Sequence, residues 1–215
     1  MANILGTSAN DFLEGTVGID TIRGFANNDF LFGLDGNDSI QGNAGSDALF
    51  GDDDMDTLIG GTENDLLDGG EGNDILRGGS GNDQLIGGDD NDQLFGESGN
   101  DTLFGGNGND TLTGSAGDDV LQGGAGADRI EGGTGNNIVS GGANDDTFVL
   151  INGGLSTVQD FVDGTDKITL GSGLTFADLT IQDSGQDTEI LNTNNDVIGL
   201  LVDVADTAIT AADFV

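Results

Sequence analysis

Residues 69–77 read Gly-Gly-Glu-Gly-Asn-Asp-Ile-Leu-Arg, and residues 105–113 read Gly-Gly-Asn-Gly-Asn-Asp-Thr-Leu-Thr. Both are copies of a nine-residue frame, G-G-x-G-x-D-x-U-x, in which U is an apolar residue. The frame repeats sixteen times, from Gly6 to Val149, without an insertion or a deletion. Self-similarity at a short fixed period is typical of solenoids, in which each repeat packs on its neighbours.

Three positions of the frame keep their residue type along the repeat. Glycine stands at the first position from Gly6 to Gly141, and an apolar residue stands at the eighth from Leu13 to Phe148. The sixth position is aspartate in every copy except one, where Asn137 replaces it. These aspartates are Asp11, Asp20, Asp29, Asp38, Asp47, Asp56, Asp65, Asp74, Asp83, Asp92, Asp101, Asp110, Asp119, Asp128 and Asp146. A disordered linker has no reason to keep this phase, so we predict an ordered repeat.

The composition, taken without the repeat, is typical of a disordered chain. The 215 residues include 40 Asp and Glu, 4 Lys and Arg, 41 Gly and no Cys, His, Pro, Trp or Tyr, for a net charge of −36. High net charge with modest hydrophobicity usually cannot offset chain entropy. The absence of Cys and His excludes disulfides, zinc sites and haem ligation. The charge argues against nucleic-acid binding, and we expect no transmembrane segment because no long apolar stretch occurs.

The spacing predicts one short strand and one turn in each frame. The triplet x-U-x is too short for a helix and suits a strand whose middle side chain points inward. The remaining six residues, G-G-x-G-x-D, suit a turn, because glycine adopts positive φ and lets the backbone approach an ion. Two frames make one coil of 18 residues, and successive coils stack about 4.8 Å apart. Because each strand buries a single apolar side chain, we expect this core alone not to offset the entropy of the chain.

The frame resembles the RTX (repeats-in-toxin) nonapeptide repeat, a calcium-binding β-solenoid unit. The resemblance covers residues 1–146 and implies an all-β fold, a right-handed parallel β-roll with two frames in each coil. It also implies that each ion lies between two loops that are two frames apart, bound by backbone carbonyls of the first four positions and by the aspartate of the sixth. By this carry-over the ligands are the fifteen frame aspartates and glycines of the cleanest loops: Gly69, Gly70, Gly72, Gly78, Gly79, Gly81, Gly105, Gly106, Gly108, Gly123, Gly124 and Gly126.

The number of calcium ions follows from the number of facing loops. Eight loops on each edge leave seven gaps, so about 14 ions is the ceiling, and departures from the frame reduce this to about 8 to 13. Ala9 and Glu63 replace the fourth glycine, and both tolerate left-handed backbone less well than Asn or Asp. We therefore expect weaker loops at 6–11 and 60–65, and a weak or empty gap beside Asn137.

The frame ends after Phe148, and residues 149–215 contain 7 Gly. We predict a β-roll over residues 1–148 and a β-rich C-terminal cap over 149–215, because an open solenoid end exposes unpaired strand edges. Residues 158–168 resemble the segment that follows the repeats in secreted RTX proteases. Asp213-Phe214-Val215 is similar to C-terminal signals for type I secretion, although an ordinary last strand explains it equally well. Strands are predicted at 148–151, 156–161, 167–170, 179–181, 188–191 and 197–202.

The outward residues differ between the two strand faces of the predicted roll. The face that begins at Phe12 carries ten apolar residues among sixteen outward positions, and the opposite face carries four. Contiguous apolar patches on a soluble surface usually mark an interface. We predict that this Phe-rich face contacts a second copy of the chain, the C-terminal segment or another protein. Its aromatic residues are Phe12, Phe30, Phe32, Phe50 and Phe104.

The sequence carries none of the motifs that we associate with catalysis. It has no His-Glu-x-x-His, no Gly-x-Ser-x-Gly and no Gly-rich phosphate loop with a lysine. We therefore predict a non-enzymatic, secreted calcium-binding β-roll that folds on binding many calcium ions outside the cell. The first alternative is a cell-surface or polysaccharide-binding module, similar to the repeat modules of alginate-modifying enzymes. An ice-binding solenoid is disfavoured because Ile75, Gln93 and Arg129 interrupt its threonine column.

Overall fold

The structure is a computed structural model that describes residues 1–171, 173–205 and 208–215. Within these residues it is all-β, with 3₁₀ turns at Phe176–Asp178 and Ala211–Asp213. The strands, in chain order, are β1 (Asn3–Leu5), β2 (Phe12–Glu14), β3 (Thr21–Ala26), β4 (Phe30–Asp35), β5 (Ser39–Ala44), β6 (Ala48–Asp53), β7 (Thr57–Thr62), β8 (Leu66–Glu71), β9 (Ile75–Ser80), β10 (Gln84–Asp89), β11 (Gln93–Ser98), β12 (Thr102–Asn107), β13 (Thr111–Ala116), β14 (Val120–Ala125), β15 (Arg129–Ala143), β16 (Thr147–Leu150), β17 (Gly154–Val158), β18 (Lys167–Leu170), β19 (Thr180–Asp183), β20 (Thr188–Leu191) and β21 (Val197–Leu201).

Successive strands alternate between two parallel sheets, as a solenoid requires. Odd-numbered strands from β1 to β13 stack in the first sheet and even-numbered strands from β2 to β14 in the second, and β15 crosses from the first to the second. Pairing is parallel with an offset of two frames, so that Leu85 lies between Leu67 and Leu103. The predicted parallel β-solenoid with two frames in each coil is confirmed.

The strands are longer than the predicted triplet. From β3 to β14 each holds six residues, x-U-x-G-G-x, so the first two glycines of the frame belong to the strand. The prediction that they form the turn is wrong because pairing resumes after the first glycine: Gly88 pairs with Gly106, one coil further. Gly88 has a φ of 119°, a conformation that suits glycine, and the remaining turn is correspondingly short.

The alternation of side chains places three residues of each frame inside the roll. Along D-x-U-x-G, the aspartate, the apolar residue and the first glycine point inward, and the two x residues point outward. The apolar residues from Ile22 to Phe148 form a continuous core, each at most 1 % exposed. Ile4 and Leu13 are partly buried, because they lie in the first coil, at the open end of the stack.

The stack of strands continues beyond the end of the nonapeptide frame. In the first sheet β16 pairs with β15 and β18, and in the second sheet β17 pairs with β15 and β21. β19, β20 and β21 then close the second sheet with antiparallel pairs. Strands occur at all six places predicted after the repeat. The C-terminus folds onto β18, where Val215 N–H donates to the carbonyl of Ile168.

The Phe-rich face lies on the second sheet. Phe32 and Phe50 are paired in register and stack with ring centroids 4.8 Å apart, and Phe12 lies 5.2 Å from Phe32. Of the three predicted partners for this face, the C-terminal segment is excluded. It extends the stack from its C-terminal end, and Phe12 and Phe30 stay 68 % and 52 % exposed.

Candidate metal centre

The frame aspartates form two internal columns, one along each edge of the roll. The first column runs from Asp11 to Asp119 and ends at Asn137, and the second runs from Asp20 to Asp146. Every member from Asp20 to Asp146 is at most 4 % exposed. Aspartate reaches this depth because it is two residues from the inward apolar residue and therefore lies on the same side of the strand.

Each column is held by a ladder of backbone-to-carboxylate hydrogen bonds. The backbone N–H of each aspartate donates to Oδ1 of the aspartate one coil further along the chain. The distance is 2.8 Å from Asp65 to Asp83 in the first column and 2.7 Å from Asp56 to Asp74 in the second. The ladder satisfies one carboxylate oxygen and one backbone donor in each coil.

The second carboxylate oxygen, Oδ2, has no hydrogen-bond partner in twelve of these aspartates within the described part of the chain. A buried polar oxygen without a partner costs free energy, and a buried charge costs more. Six of the twelve belong to each column. They are Asp29, Asp47, Asp65, Asp83, Asp101 and Asp119 in the first column, and Asp38, Asp56, Asp74, Asp92, Asp110 and Asp128 in the second.

Each unpartnered oxygen faces a small space beside the first glycine of its own frame. A Cβ atom added to Gly33 would lie 2.6 Å from Oδ2 of Asp38 and 2.7 Å from the carbonyl oxygen of Gly51. The carboxylate of one coil and a carbonyl of the next therefore converge where glycine leaves room. Carboxylate and carbonyl oxygens together are the ligands that calcium takes, so these residues fit the ion.

Further carbonyl oxygens point along the axis at the second and fourth positions of the frame. The carbonyl of Gly70 faces Gly88, and the carbonyl of Asp54 faces Gly72, which has a φ of 130°. Among the described residues no group of three or more acidic side chains converges on one point. Backbone carbonyls would therefore supply most of the ligands of each ion.

The glycines predicted as ligands occupy these positions on both edges. Those of loops 69–74, 105–110 and 123–128 belong to the second column, and those of loop 78–83 belong to the first. At each loop the first glycine is buried and lies against Oδ2 of its own aspartate. Their role as ligands stays a prediction.

The turn at Glu63 keeps the geometry of its neighbours, although we expected Glu to disfavour it. Glu63 has a φ of 72°, like Asp54 and Asp90 at the same position of their frames. Its Oε2 accepts hydrogen bonds from Gly45 N–H at 2.9 Å and from the Thr62 hydroxyl. These bonds stabilise the left-handed backbone, so loop 60–65 presents Asp65 in the same way as the glycine loops do.

The N-terminal end of each column is closed by a threonine. Thr7 N–H donates to Oδ2 of Asp11 at 2.5 Å, and Thr16 N–H donates to Oδ2 of Asp20 at 2.7 Å. The corresponding fourth-position residue Ala9 stays outside the left-handed region, which agrees with the expected difference of loop 6–11. These two carboxylates are satisfied by the protein itself.

The C-terminal ends are closed by an amide and by a carboxylate outside the frame. Asn137 accepts from Asp119 N–H at 2.9 Å, and its Nδ2 donates to the carbonyl of Gly133 at 3.2 Å. Asp166 accepts from Asp146 N–H at 3.0 Å and from Val162 N–H at 2.8 Å. Nδ2 of Asn137 therefore stands where the other frames place an unpartnered oxygen.

Two features of the site were missed at the level of the sequence. Asp166 was missed because it lies beyond the repeat and out of phase with the frame. The other is a second ladder, formed by the fifth position of the frame on the outside of the turns. Asn82 N–H donates to Oδ1 of Asn64, and Asn100 N–H donates to Oδ1 of Asn82, each at 2.8 Å. The recurrence of asparagine at this position is a signal that the sequence contains, because asparagine favours such turns.

Burial raises the pKa of the column aspartates from Asp29 to Asp146, neighbouring carboxylates raise the pKa of most of them further, and the ladder hydrogen bonds lower it. At the N-terminal end, hydrogen bonds from Ala2 and Thr16 lower the pKa of Asp20. The pKa rises to about 8 for Asp56, Asp65 and Asp92. It rises to about 7 for Asp146, and to about 6 for six others. Those six are Asp38, Asp47, Asp74, Asp83, Asp119 and Asp128. Ionised columns therefore favour a bound cation.

Fold and site together define a parallel β-solenoid with two internal carboxylate columns suited to hard divalent cations. The family model of the RTX calcium-binding nonapeptide repeat matches residues 5–40, 24–54, 50–85, 77–112, 86–121 and 113–148. These matches cover more than half of the chain, which therefore belongs to this family of calcium-binding, structural repeats. No curated protein matches the chain.

Solved structures resemble the chain over different lengths. The extracellular lipase LipA from Serratia marcescens is 17% identical with a TM-score of 0.44; the match covers 97% of this chain and 40% of the lipase. The AlgE6R3 subunit of the Azotobacter vinelandii mannuronan C5-epimerase is 28% identical with a TM-score of 0.26, over 59% of this chain and 78% of the subunit. The chain thus spans less than half of the lipase. The described residues contain no helix that is long and apolar enough to cross a membrane.

Proposed function

We propose that the chain is a secreted calcium-binding β-roll that folds when calcium binds outside the cell. One observation carries the proposal: twelve buried aspartates each have an oxygen without a partner, and beside ten of these oxygens a carbonyl of the next coil converges. Calcium would supply the positive charge that these oxygens require. The protein contributes the fixed spacing of the carboxylates through the N–H to Oδ1 ladder.

The dependence of folding on calcium follows from the cost of the columns. In the folded chain the carboxylates of successive coils stack at strand spacing and are removed from water, so their repulsion opposes folding. A ligand that binds the folded state alone shifts the equilibrium toward it, and each additional site adds to the shift. Where calcium is scarce, the same chain would stay unfolded.

The geometry supports about ten ions. A gap between two coils is fully equipped when both flanking aspartates have an unpartnered Oδ2, and each column has five such gaps. The end gaps beside Asp11, Asp20 and Asn137 lack this arrangement, because hydrogen bonds within the protein satisfy one flanking side chain. The gap between Asp128 and Asp146 is not counted, because Asp146 is not among the twelve. About ten ions lie within the 8 to 13 expected from the sequence.

The proposed secretion rests on the calcium requirement and on the resemblance of the tail to type I signals. In the folded chain this tail is docked, since Phe214 packs on Phe176 with ring centroids 4.9 Å apart. A transporter would therefore have to recognise the tail before folding, which fits a chain that stays unfolded where calcium is low. An export assay with residues 211–215 deleted, against a chain with intact ends, tests this part.

Circular dichroism during a calcium titration tests the central proposal, with isothermal titration calorimetry to count the ions. We expect a chain with little strand signal in chelator and a cooperative gain of strand signal with calcium, at about ten ions per chain. Magnesium serves as the control, because it requires stricter octahedral geometry and keeps its waters. A chain that is fully folded in chelator and unchanged by calcium contradicts the proposal.

We propose no catalytic role for the chain, because its frame aspartates are assigned to the two columns and its sequence carries none of the catalytic motifs considered above. A polysaccharide-binding function stays a prediction, and pull-down with acidic polysaccharide in calcium and in chelator would test it.

Contact of the Phe-rich face with a second copy or with another protein also stays a prediction. The exposure of Phe12 and Phe30 supports it, and light scattering of the calcium-loaded chain would measure the second-copy form.

A further inference from the structure

The turns on the two edges of the roll differ in charge. Four successive turns over the second column, between residues 33 and 92, carry seven acidic residues outside the ladder. The four turns over the first column, between residues 24 and 83, carry one, which is Glu63. The seven residues of this acidic edge are Asp35, Asp52, Asp53, Asp54, Glu71, Asp89 and Asp90.

The acidic edge places like charges next to one another. Asp53 pairs in register with Asp35 on one side and with Glu71 on the other, and Glu71 pairs with Asp89. Like charges directly opposite each other on neighbouring strands are destabilising. An open groove of about 300 Å³ is lined by five of the seven, Asp35, Asp53, Asp54, Glu71 and Asp90. No member of the edge belongs to the internal ladder, although Asp89 accepts a hydrogen bond from Nδ2 of Asn107 at 2.7 Å.

The edge lies over the buried oxygens of the second column. The charge of Asp54 raises the pKa of the carboxyls of Asp38 and Asp56. The charge of Asp90 raises the pKa of Asp74 and Asp92 in the same way. Asp68, on the outer face of the second sheet, also acts on Asp74. The affected carboxyls are at most 3 % exposed, and each has an unpartnered Oδ2. A cation that reaches them is attracted by both layers of charge.

The acids near the first column are better compensated. Glu97, which acts on Asp83, forms an ion pair with Arg77 at 3.1 Å. Glu63, whose charge raises the pKa of Asp47 and Asp65, accepts hydrogen bonds from Thr62 and from Gly45 of the turn one coil earlier. Asp118, whose charge raises the pKa of Asp119, accepts hydrogen bonds from the backbone and side-chain amides of Asn136. The potential over the first column is therefore less negative than that over the second.

We infer that the acidic edge makes the second column the tighter calcium column, so that its sites fill at lower calcium than those of the first. The inference rests on the proposed calcium-dependent function and adds an order of binding to it. Its physical basis is the local concentration of a cation by a surface lined with one sign of charge. The effect should weaken with salt, because the screening length falls from about 30 Å at 0.01 M to about 3 Å at 1 M.

Nuclear magnetic resonance on the full chain, labelled with ¹⁵N at aspartate, resolves the two columns. Calcium is added in steps at 0.01 M ionic strength, and the amide signals of both sets are followed. We expect the second set to reach its calcium-bound positions at about three- to tenfold lower calcium than the first. Joint movement of both sets, or the reverse order, overturns the inference. The second set is Asp56, Asp74 and Asp92, and the first is Asp47, Asp65 and Asp83.

Two triple variants with the same change of net charge complete the test. Asp54→Asn, Asp68→Asn and Asp90→Asn together should raise the calcium midpoint of the second set by about fivefold and abolish the order. The matched control is made of Glu63→Gln, Glu97→Gln and Asp118→Asn. In this control the second set should still reach its calcium-bound positions at lower calcium than the first set. Equal shifts of the second set in both variants overturn the inference. A wild-type chain that binds no calcium would refute the proposed function itself, an outcome distinct from binding without order.

Discussion

The coils in the middle of the roll and the strands at its C-terminal end belong to the same two sheets, but their buried polar groups find hydrogen-bond partners in different ways. All twelve unpartnered oxygens lie between Asp29 and Asp128. At the C-terminal end, the buried Thr188 hydroxyl donates to the carbonyl of Val204 at 2.7 Å, and the buried Asn192 amide donates to Asn152 at 3.0 Å. Under the proposed function the middle of the roll would therefore require an external cation, whereas the polar groups of the end have partners within the protein.

The C-terminal end also has the larger apolar core of the two regions. A middle strand contributes one leucine or isoleucine, such as Leu76 or Leu85, to the interior. The C-terminal coils add Leu150, Val158 and the ring of Phe161, which lies 6.1 Å from Phe148. More buried apolar surface in each coil gives more stabilisation without a ligand, at about 25 cal/mol per Å². In a solenoid each coil contacts its neighbours alone, so one end can be stable without a ligand while the middle requires one.

Removal of calcium should produce the largest contrast between the two regions. Hydrogen exchange measured by mass spectrometry on the full chain in chelator should show complete loss of protection over residues 29–128. Residues 147–171 should keep protection well above that of an unfolded chain, because their polar groups have partners within the protein. The calcium-loaded chain is the reference for both regions. Equal loss of protection in both would show that the end of the roll also depends on calcium.

Acidification should restore part of the folded structure that is lost when calcium is removed. Ten column carboxyls have a pKa near 3.8 when unfolded and about 6 to 8 when folded, so the folded chain binds more protons over this range. The stabilisation is fully present below pH 3.8 and is lost as the pH rises through 6 to 8. We expect the metal-free chain to show more strand signal in circular dichroism at pH 5 than at pH 8.5. A metal-free chain that gains structure on going to alkaline pH would contradict this.

The sequence was sufficient to predict the coil and the columns because the frame places Asp, the apolar residue and glycine on alternate positions. Leu85 could be assigned to the interior from spacing alone, whereas Asp83 was predicted to bind calcium from a turn, and its burial was not predicted. The length of the strands was not predictable in the same way. Gly88 adopts a positive φ, which is compatible both with a turn and with continued pairing, and the pairing with Gly106 decides between them.

The hydrogen bonds that close the ends of the columns could not be predicted from the repeat spacing, because they depend on the local backbone conformation. Thr7 and Thr16 reach the carboxylates of Asp11 and Asp20 because the first two loops depart from the left-handed turn. Asp166 enters the second column from a loop that is longer than the frame allows. A residue outside the repeat can satisfy a repeat position only when the tertiary fold brings it there.

Substitution of a middle aspartate by asparagine should give a middle coil the internal hydrogen bond that Asn137 makes at the end of the first column. In Asp83→Asn the new amide can donate to the carbonyl of Gly79, as Asn137 donates to Gly133. We expect the loss of about two bound ions, because Asp83 flanks the gap to Asp65 and the gap to Asp101. In chelator we also expect about 1 to 3 kcal/mol more stability for the coils around it, because one buried unpartnered oxygen is removed. Titration calorimetry and urea unfolding measure the two effects, and the exposed Asp118→Asn controls for charge. Unchanged stability in chelator would show that this oxygen carries no cost.

The reverse substitution, Asn137→Asp, should give the smallest effect, because it changes one gap at the edge of the calcium-dependent region. The new Oδ2 takes the place of Nδ2 and loses the hydrogen bond to Gly133, so it becomes one more unpartnered oxygen. We expect about one additional ion in calorimetry and about 1 to 3 kcal/mol less stability in chelator. Asn136→Asp adds the same charge on the exposed side of the turn and should change neither quantity by as much. An ion count that stays the same in Asn137→Asp would mean that two facing carboxylates are not sufficient for a site, and that the C-terminal end is closed to calcium by its backbone rather than by one amide.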